Sequence, residues 1–280
     1  NMTELPLVSV VIPVFNGGAF LLDSLDSVLG QTYSNIEVVI TDGGSTDGTK
    51  EWLEKYSEHE VVKGYLPAGS GAAANWTLAC ELSSGQYIKL LCQDDLLHPN
   101  GLALQVKDLM ENPVARIAFA QRDIIDARGR VLSRSRGCQG LQSGVVPGHS
   151  ALLAAYKAGT NIFGEPEAVL FERKAMLEAL PWTDTEPFLL DMLFYSKILA
   201  HYPAVVRKEP VGAFRISSSS WSTRLVREHR SQFRSWQRLA AEIIGGVNQW
   251  NRLVGTVNTE KTTQMRRAVY AWLKFRNSMD

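Results

Sequence analysis

The sequence predicts an α/β protein: a doubly wound, mostly parallel sheet flanked by helices, followed by a helical C-terminal tail. Short apolar runs at residues 8–12, 36–40 and 87–92 have the continuous hydrophobic character of strands covered on both faces. Helical patterns alternate with them, as parallel crossovers require. The runs also exit into Gly- and Asp-bearing loops, which such a topology gathers on one sheet edge.

Val8-Ser9-Val10-Val11-Ile12 is the first strand, and Pro13 is expected to end it. Leu21, Leu22, Leu25, Val28 and Leu29 then recur at helical spacing, and Gly30 closes that helix. Ile36-Glu37-Val38-Val39-Ile40 is the second strand. Asp47 is placed to start the next helix, whose apolar face carries Trp52, Leu53 and Tyr56. Residues 61–66 form a weaker third strand and 72–82 a helix. Tyr87-Ile88-Lys89-Leu90-Leu91-Cys92 is the strand that delivers Gln93-Asp94-Asp95. A helix follows Pro99 and runs to about Glu111. Residues 116–125 read as a strand, and Ala127-Arg128-Gly129-Arg130 turns it into Val131 and Leu132. Residues 133–148, rich in Gly, Ser and Arg, read as a mobile loop. Residues 168–171 are a strand, 188–200 a helix, and 204–206 and 211–216 two late strands. Residues 217–220 are a polar hinge. Two helices are expected beyond it, one from Trp221 to about Leu253 and one at 259–275. This places a main domain at 1–220, with halves at 1–112 and 113–220, and a basic amphipathic extension at 221–280.

With 280 residues, 45% hydrophobic and 21% charged, the chain can bury a sizeable core. No apolar stretch approaches the roughly 20 residues that cross a bilayer. Asn1 ahead of Met2 is expected to be an expression remnant, and the chain's start lacks the basic segment and apolar core of a secretory leader. Cys80, Cys92 and Cys138 have neither metal-site spacing nor an evident disulfide pattern, which suits a reducing cytoplasm. The net charge of zero hides an asymmetry. From Trp221 onward there are 11 Lys and Arg against 4 Asp and Glu, while the preceding residues hold 18 against 25. Four of the 7 tryptophans also lie in this tail.

The chemistry concentrates at the strand ends. Asp94 and Asp95 are adjacent carboxylates at the C-terminal end of a buried strand, a place where oxygen ligands can hold a hard divalent cation. Such a cation grips a diphosphate and neutralises it as it leaves. The first strand exits into Pro13-Val14-Phe15-Asn16-Gly17-Gly18 and the second into Thr41-Asp42-Gly43-Gly44-Ser45-Thr46-Asp47-Gly48-Thr49. Gly43 and Gly44 let the backbone approach a ligand, and Asp42 can accept hydrogen bonds from a base or ribose. Tight βα turns also favour these residue types. In the second half, Asp191 interrupts the apolar stretch Phe188-Leu189-Leu190-Asp191-Met192-Leu193-Phe194-Tyr195, so it faces a cleft or a partner. A helix N-terminus also favours an acid there.

The ordered set Val8-Ser9-Val10-Val11-Ile12-Pro13-Val14-Phe15-Asn16, Asp42-Gly43-Gly44-Ser45-Thr46-Asp47-Gly48-Thr49 and Gly85-Gln86-Tyr87-Ile88 leading to Asp94-Asp95 resembles the inverting nucleotide-sugar glycosyltransferases called family 2. The resemblance implies a GT-A, Rossmann-like fold, with 1–112 as the nucleotide-binding half and 113–220 as the acceptor side. It implies that Pro13, Phe15, Asn16 and Gly44 line the nucleotide and that Asp42 reads the base, usually uracil. It also implies that Asp94 contacts the ribose and that Asp95 ligates a divalent metal, Mn2+ or Mg2+. Asp191 matches the family's catalytic base, with Glu186 as the backup. Glu165, in Gly164-Glu165-Pro166-Glu167, matches the segment that approaches donor and acceptor sugars. Arg215, in Phe214-Arg215-Ile216-Ser217, matches a segment that reaches the diphosphate.

Three departures stand out. Gly43 replaces a second aspartate, no arginine lies in Ala73-Ala74-Asn75-Trp76-Thr77, and Ser217 stands where a histidine is common. The implied reaction is a single inverting displacement, of hexosyltransferase type, from a UDP-sugar to a glycan or lipid-linked glycan hydroxyl, as in cell-surface polysaccharide assembly. Two alternatives remain: a non-catalytic nucleotide-binding or assembly subunit, and a sugar nucleotidyltransferase. The second expects a basic Gly-rich first loop, and residues 15–20 hold no Lys or Arg. His98, alone before Pro99, reads as a surface or capping residue.

The tail combines an apolar face (Trp236, Leu239, Ala240, Ile243, Val247 and Trp250) with Arg224, Arg227, Arg230, Arg234 and Arg238. Met265, Val269, Trp272, Leu273 and Phe275 form a second such face. One reading packs the tail onto the body. The other attaches it to an anionic membrane surface on the cytoplasmic side. No nucleic-acid motif accompanies the charge, so nucleic acid is not an expected partner.

Overall fold

The computed structural model describes residues 4–56, 58–65, 71–218 and 226–276. One mixed sheet runs through the molecule. Its first half is β3 (Val62–Tyr65), β2 (Ile36–Asp42), β1 (Val8–Val14) and β4 (Tyr87–Leu90), side by side and all parallel. The second half continues through β9 (Val169–Glu172), β6 (Ile117–Ile125), β10 (Ala204–Arg215) and the short β5 (Leu96–Leu97). Here only β6 and β10 are parallel neighbours, so the parallel character belongs to the first four strands.

Alternation along the strands sorts side chains to two cores. Val8, Val10, Ile12, Val38 and Ile40 face α1 (Phe20–Leu29), α2 (Thr49–Glu54) and α4 (Gly101–Glu111). Val11, Val39, Ile88, Leu90, Ile117 and Phe119 face α3 (Ala72–Glu81), α5 (Gly148–Ala158), α6 (Arg173–Ala179) and α7 (Leu190–Leu199).

Several expectations are corrected. Pro13 does not end β1. The carbonyl of Val11 points to β4 and that of Val14 to β2, so Pro13 turns its missing N–H to the β4 side, beyond the last β4 pairing at Val11 and Leu90. Residues 133–148 are not one loop: β7 (Val131–Arg136) pairs with β6 and β8 (Gly144–Val146) with β10, while Cys138 and Leu141 between them are buried. Helices α5 and α6 were not foreseen from the sequence. The two late strands are one strand, β10, in which Pro210 lies between two register shifts.

The tail breaks earlier than predicted. Helix α8 (His229–Ile244) stops at Gly245 and Gly246, at φ 86° and 118°, a conformation that only glycine adopts readily. Asn248 then caps α9 (Gln249–Phe275) by accepting from the Asn251 N–H. Leu66, Ser219, Ser220, Trp221 and Arg224, which entered the strand, hinge and tail readings, lie outside the described residues.

Helix α8 is part of the core. Phe233 and Trp236 are fully buried in it, and the Trp236 indole donates to Ser196 Oγ of α7 at 2.9 Å. Trp250, by contrast, is 69% exposed. Trp236→Ala is therefore expected to cost about 3–5 kcal/mol. Trp250→Ala should stay within about 0.5 kcal/mol. Chemical denaturation of the two variants measures both.

Candidate active site

The C-terminal ends of β1, β2 and β4 carry the predicted loops, and hydrogen bonds lock these to one another. The Phe15 N–H donates to Gln93 Oε1 at 2.9 Å, and Gln93 Nε2 donates back to the Phe15 carbonyl at 3.0 Å. The Asn16 N–H donates to Ser45 Oγ, and Asn16 Oδ1 accepts from the Thr46 N–H, each at 2.8 Å. Asp42 is buried, and its carboxylate accepts from the N–H and hydroxyl of Ser45. Phe15 is 57% exposed, a ring presented to solvent beside these polar groups. Pro13 is buried within β1, and Gly44 is exposed at the tip of the second loop.

The first departure has a local explanation. A Cβ on Gly43 would stand 3.1 Å from Asn75 Nδ2, which donates to the carbonyl of Val14 at 3.0 Å. Asn75 thus ties α3 to β1 and occupies the space that a side chain at 43 would need. Its Oδ1 is buried without a partner among the described residues, a polar atom left for a ligand.

Asp95 is almost wholly buried, and its Oδ1 accepts the Arg215 main-chain N–H at 2.9 Å. Burial, then the charges of Glu167 and Asp94, push its carboxyl well above the usual range. Asp94 is also raised, by burial. The Arg215 guanidinium is not extended into the cleft. It donates to the carbonyls of Asp94, Asp126 and Ala127 and lies 4.4 Å over the Phe20 ring. That geometry gives Arg215 a bracing role on the Asp94-Asp95 turn. His98 is bound to Asp123, at 3.0 Å.

Asp191 opens α7. Its Oδ1 accepts the Met192 N–H at 2.7 Å and its Oδ2 accepts from Asn161 Nδ2 at 3.3 Å. Burial, with the neighbouring Glu165 charge, pushes its carboxyl up to about 7. Glu165 itself forms a two-pronged ion pair with Arg122, at 2.7 and 3.1 Å. Burial pushes Glu165 up, but Arg122 more than offsets this and holds it below the usual range. Glu186 heads the 3-10 turn before α7, where its carbonyl accepts from Leu189. The half-buried Cys92 thiol just beyond β4 is raised first by desolvation and then by the charges of Asp95, Asp94, Glu167 and Asp191, which therefore lie near it. Asp94, Asp95, Glu165 and Asp191 are thus brought together, with Asp42 and Asn16 in the adjoining loops.

Sequence reading missed Arg122, Asn161, Glu167 and Lys89. The polar run Gln121-Arg122-Asp123 inside an apolar strand was a signal, as was a lysine in the fully buried β4. Lys89 Nζ donates to Gln105 Oε1 at 2.6 Å and to the Glu167 carbonyl at 2.8 Å, which fixes the turn that carries Glu165. A surface hollow lined by Gln86, Glu172, Arg173 and Glu178 lies at the opposite edge of the sheet and holds none of the predicted residues.

Fold and site together define an α/β scaffold with a carboxylate-rich cleft at the strand ends. The family model for glycosyl transferase family 2 matches residues 9–175, and the chain belongs to that family. The putative teichuronic acid biosynthesis glycosyltransferase TuaG of Bacillus subtilis is 36% identical over 112 residues, 39% of this chain and 44% of TuaG. Chondroitin synthase of Escherichia coli is 31% identical over 134 residues, 48% of this chain and 20% of that one. The matches thus span less than half the length of these curated relatives. Among solved structures, S. aureus TarS 1-349 superposes with a TM-score of 0.62 at 18% identity, covering 85% of this chain and 70% of that one. The mannosyltransferase PcManGT of Pyrobaculum calidifontis, in complex with GDP-Man and Mn2+, gives 0.59 at 18% identity, covering 98% and 81%. Both likenesses establish the GT-A fold.

Replacing Glu165 by Gln removes a negative charge beside Asp191 and leaves the Arg122 cation there. The Asp191 ionisation should then move down from about 7, as read by carboxyl-carbon NMR titration. An unchanged or higher value would contradict the coupling.

Proposed function

We propose that this chain transfers a sugar from a nucleotide-sugar, by preference a UDP-sugar, to a hydroxyl of a glycan or lipid-linked glycan, inverting the anomeric carbon. The observation that carries this is Asp191. Its carboxyl is held by Asn161 and Met192, faces the carboxylate cleft and is poised near neutrality. In the displacement, Asp191 takes the acceptor hydroxyl proton and the acceptor oxygen bonds to the anomeric carbon. The bond from that carbon to the donor phosphate oxygen breaks, and the nucleoside diphosphate leaves. Family membership and the names of relatives in polysaccharide synthesis support the reaction class. A TarS structure in complex with UDP-GlcNAc supports the donor class.

Among the described residues no group of three or more His, Cys, Asp and Glu is arranged as a metal cage. A cation carried by a donor diphosphate needs only one or two protein carboxylates, and Asp94 and Asp95, both raised by burial, are hard oxygen donors of that kind. They fit Mn2+ or Mg2+, which when bound would neutralise charge on the departing diphosphate. Asp42, Asn16 and Phe15 form the nucleotide end of the cleft, and the orphan Asn75 Oδ1 adds an acceptor beside it. A lipid-linked acceptor would present its glycan at a membrane, and the basic extension is the part of the chain with the chemistry to reach one.

Asp191→Asn is expected to lower kcat by about 10²–10⁴ while nucleotide binding persists. Because the base must be ionised, wild-type activity should rise with pH through about 7. Stopped assays of nucleotide release across pH check both. Full turnover by the variant would remove Asp191 from the role.

A further inference from the structure

Two kinds of chemistry lie side by side on the outer side of α8 and α9. Arg227, Arg230, Arg234 and Arg238, spaced three and four apart along one face of α8 and the turn before it, line a groove with Ser231 and with Arg267 of α9. One carboxylate, Glu260, serves both Arg230 and Arg234. Among the described residues, Arg227, Arg238 and Arg267 form no ion pair, which leaves the groove strongly positive.

Helix α9 supplies the second part. Its Gly255, Thr259 and Thr263, four apart, are buried, and the neighbouring Asn258 and Thr262 hydrogen-bond carbonyls at the end of α5. At 3.6 residues per turn, Trp250, Leu253, Val257, Trp272 and Phe275 fall on the opposite side, and they are 69%, 56%, 56%, 51% and 88% exposed. Lys261 and Gln264 divide this stripe into two apolar patches. Arg276 lies 4.7 Å over the Trp272 ring. Glu260 and Arg267, which face the groove, lie along the edge of the stripe. No helix among the described residues is long and apolar enough to cross a membrane.

We propose that this composite face docks on a bilayer containing anionic phospholipid, with the arginine groove on headgroup phosphates and the α9 aromatics at the acyl boundary. An anionic bilayer complements both parts at once. A soluble acidic partner would match the groove and leave the stripe uncovered. A second copy joined through the same face would set arginines against arginines. The inference deepens the lipid-linked acceptor reading but stands on the helix pair alone, and its test needs no turnover.

The test is co-sedimentation with vesicles of phosphatidylcholine, with and without phosphatidylglycerol. Wild type should pellet only with the anionic vesicles and be released by salt. Arg227→Glu/Arg238→Glu/Arg267→Glu should reduce partitioning by about tenfold or more. Trp250→Ser/Trp272→Ser/Phe275→Ser should also reduce it, and both variants should keep wild-type melting and nucleotide binding. The proposal is overturned if wild type ignores both vesicles, or if it binds an acidic polysaccharide and no vesicle. It is equally overturned if the apolar variant acts only by converting a dimer to a monomer in light scattering. Vesicle binding without glycosyl transfer would leave this inference standing and sink the catalytic one.

Discussion

Arg215 is the constraint on which the rest of the site depends. Its main-chain N–H holds Asp95 and its guanidinium holds three carbonyls, those of Asp94, Asp126 and Ala127. One buried side chain at the end of β10 thereby joins the strand-end turn of the first half to the β6–β7 turn of the second. A guanidinium can satisfy several carbonyls at once because its donors are fixed in a plane. Without it, the turn carrying two adjacent carboxyls would have no internal positive charge to set against them.

The cleft has an excess of buried and half-buried acid. Asp94, Asp95, Glu165, Glu167 and Asp191 gather there, and Arg122, Lys89 and Arg215 are the nearby cations. The consequences follow from desolvation and like-charge proximity. Glu167, with both oxygens unpartnered among the described residues, is pushed up to about 8, first by burial and then by Glu165. Lys89 is brought down to about 7 by burial. Glu165 stays ionised because Arg122 grips it, and that charge helps tune Asp191. A region with this much latent negative charge favours a cation, and it keeps a base poised where a hydroxyl proton must go.

Much of this was legible in the sequence. Three of the four parallel strands announce themselves as apolar runs, β3 being weaker with Lys63 and Gly64 inside it, and Asp42, Asp94 and Asp95 lie at the ends of those runs. Asp191 stood out as one acid in an apolar helix. The second half was harder to read for physical reasons. Strand β7 is mostly exposed, so it carries no apolar signature, and β10 is disguised by Lys208, Glu209 and Pro210 at its irregular centre. Arg122 and Glu165 are 43 residues apart and meet only through sheet order. Arg215 was legible as an arginine at a strand end, but a sequence cannot reveal that its Nε and Nη1 donate to three backbone carbonyls.

The central claim is that the Asp94-Asp95 turn binds a nucleotide diphosphate together with a metal. Calorimetric titration with UDP, GDP and dTDP, each with and without Mn2+, tests it most directly. The account predicts UDP binding that requires the metal and is lost in Asp95→Asn. Binding that is indifferent to both the metal and the substitution would contradict it.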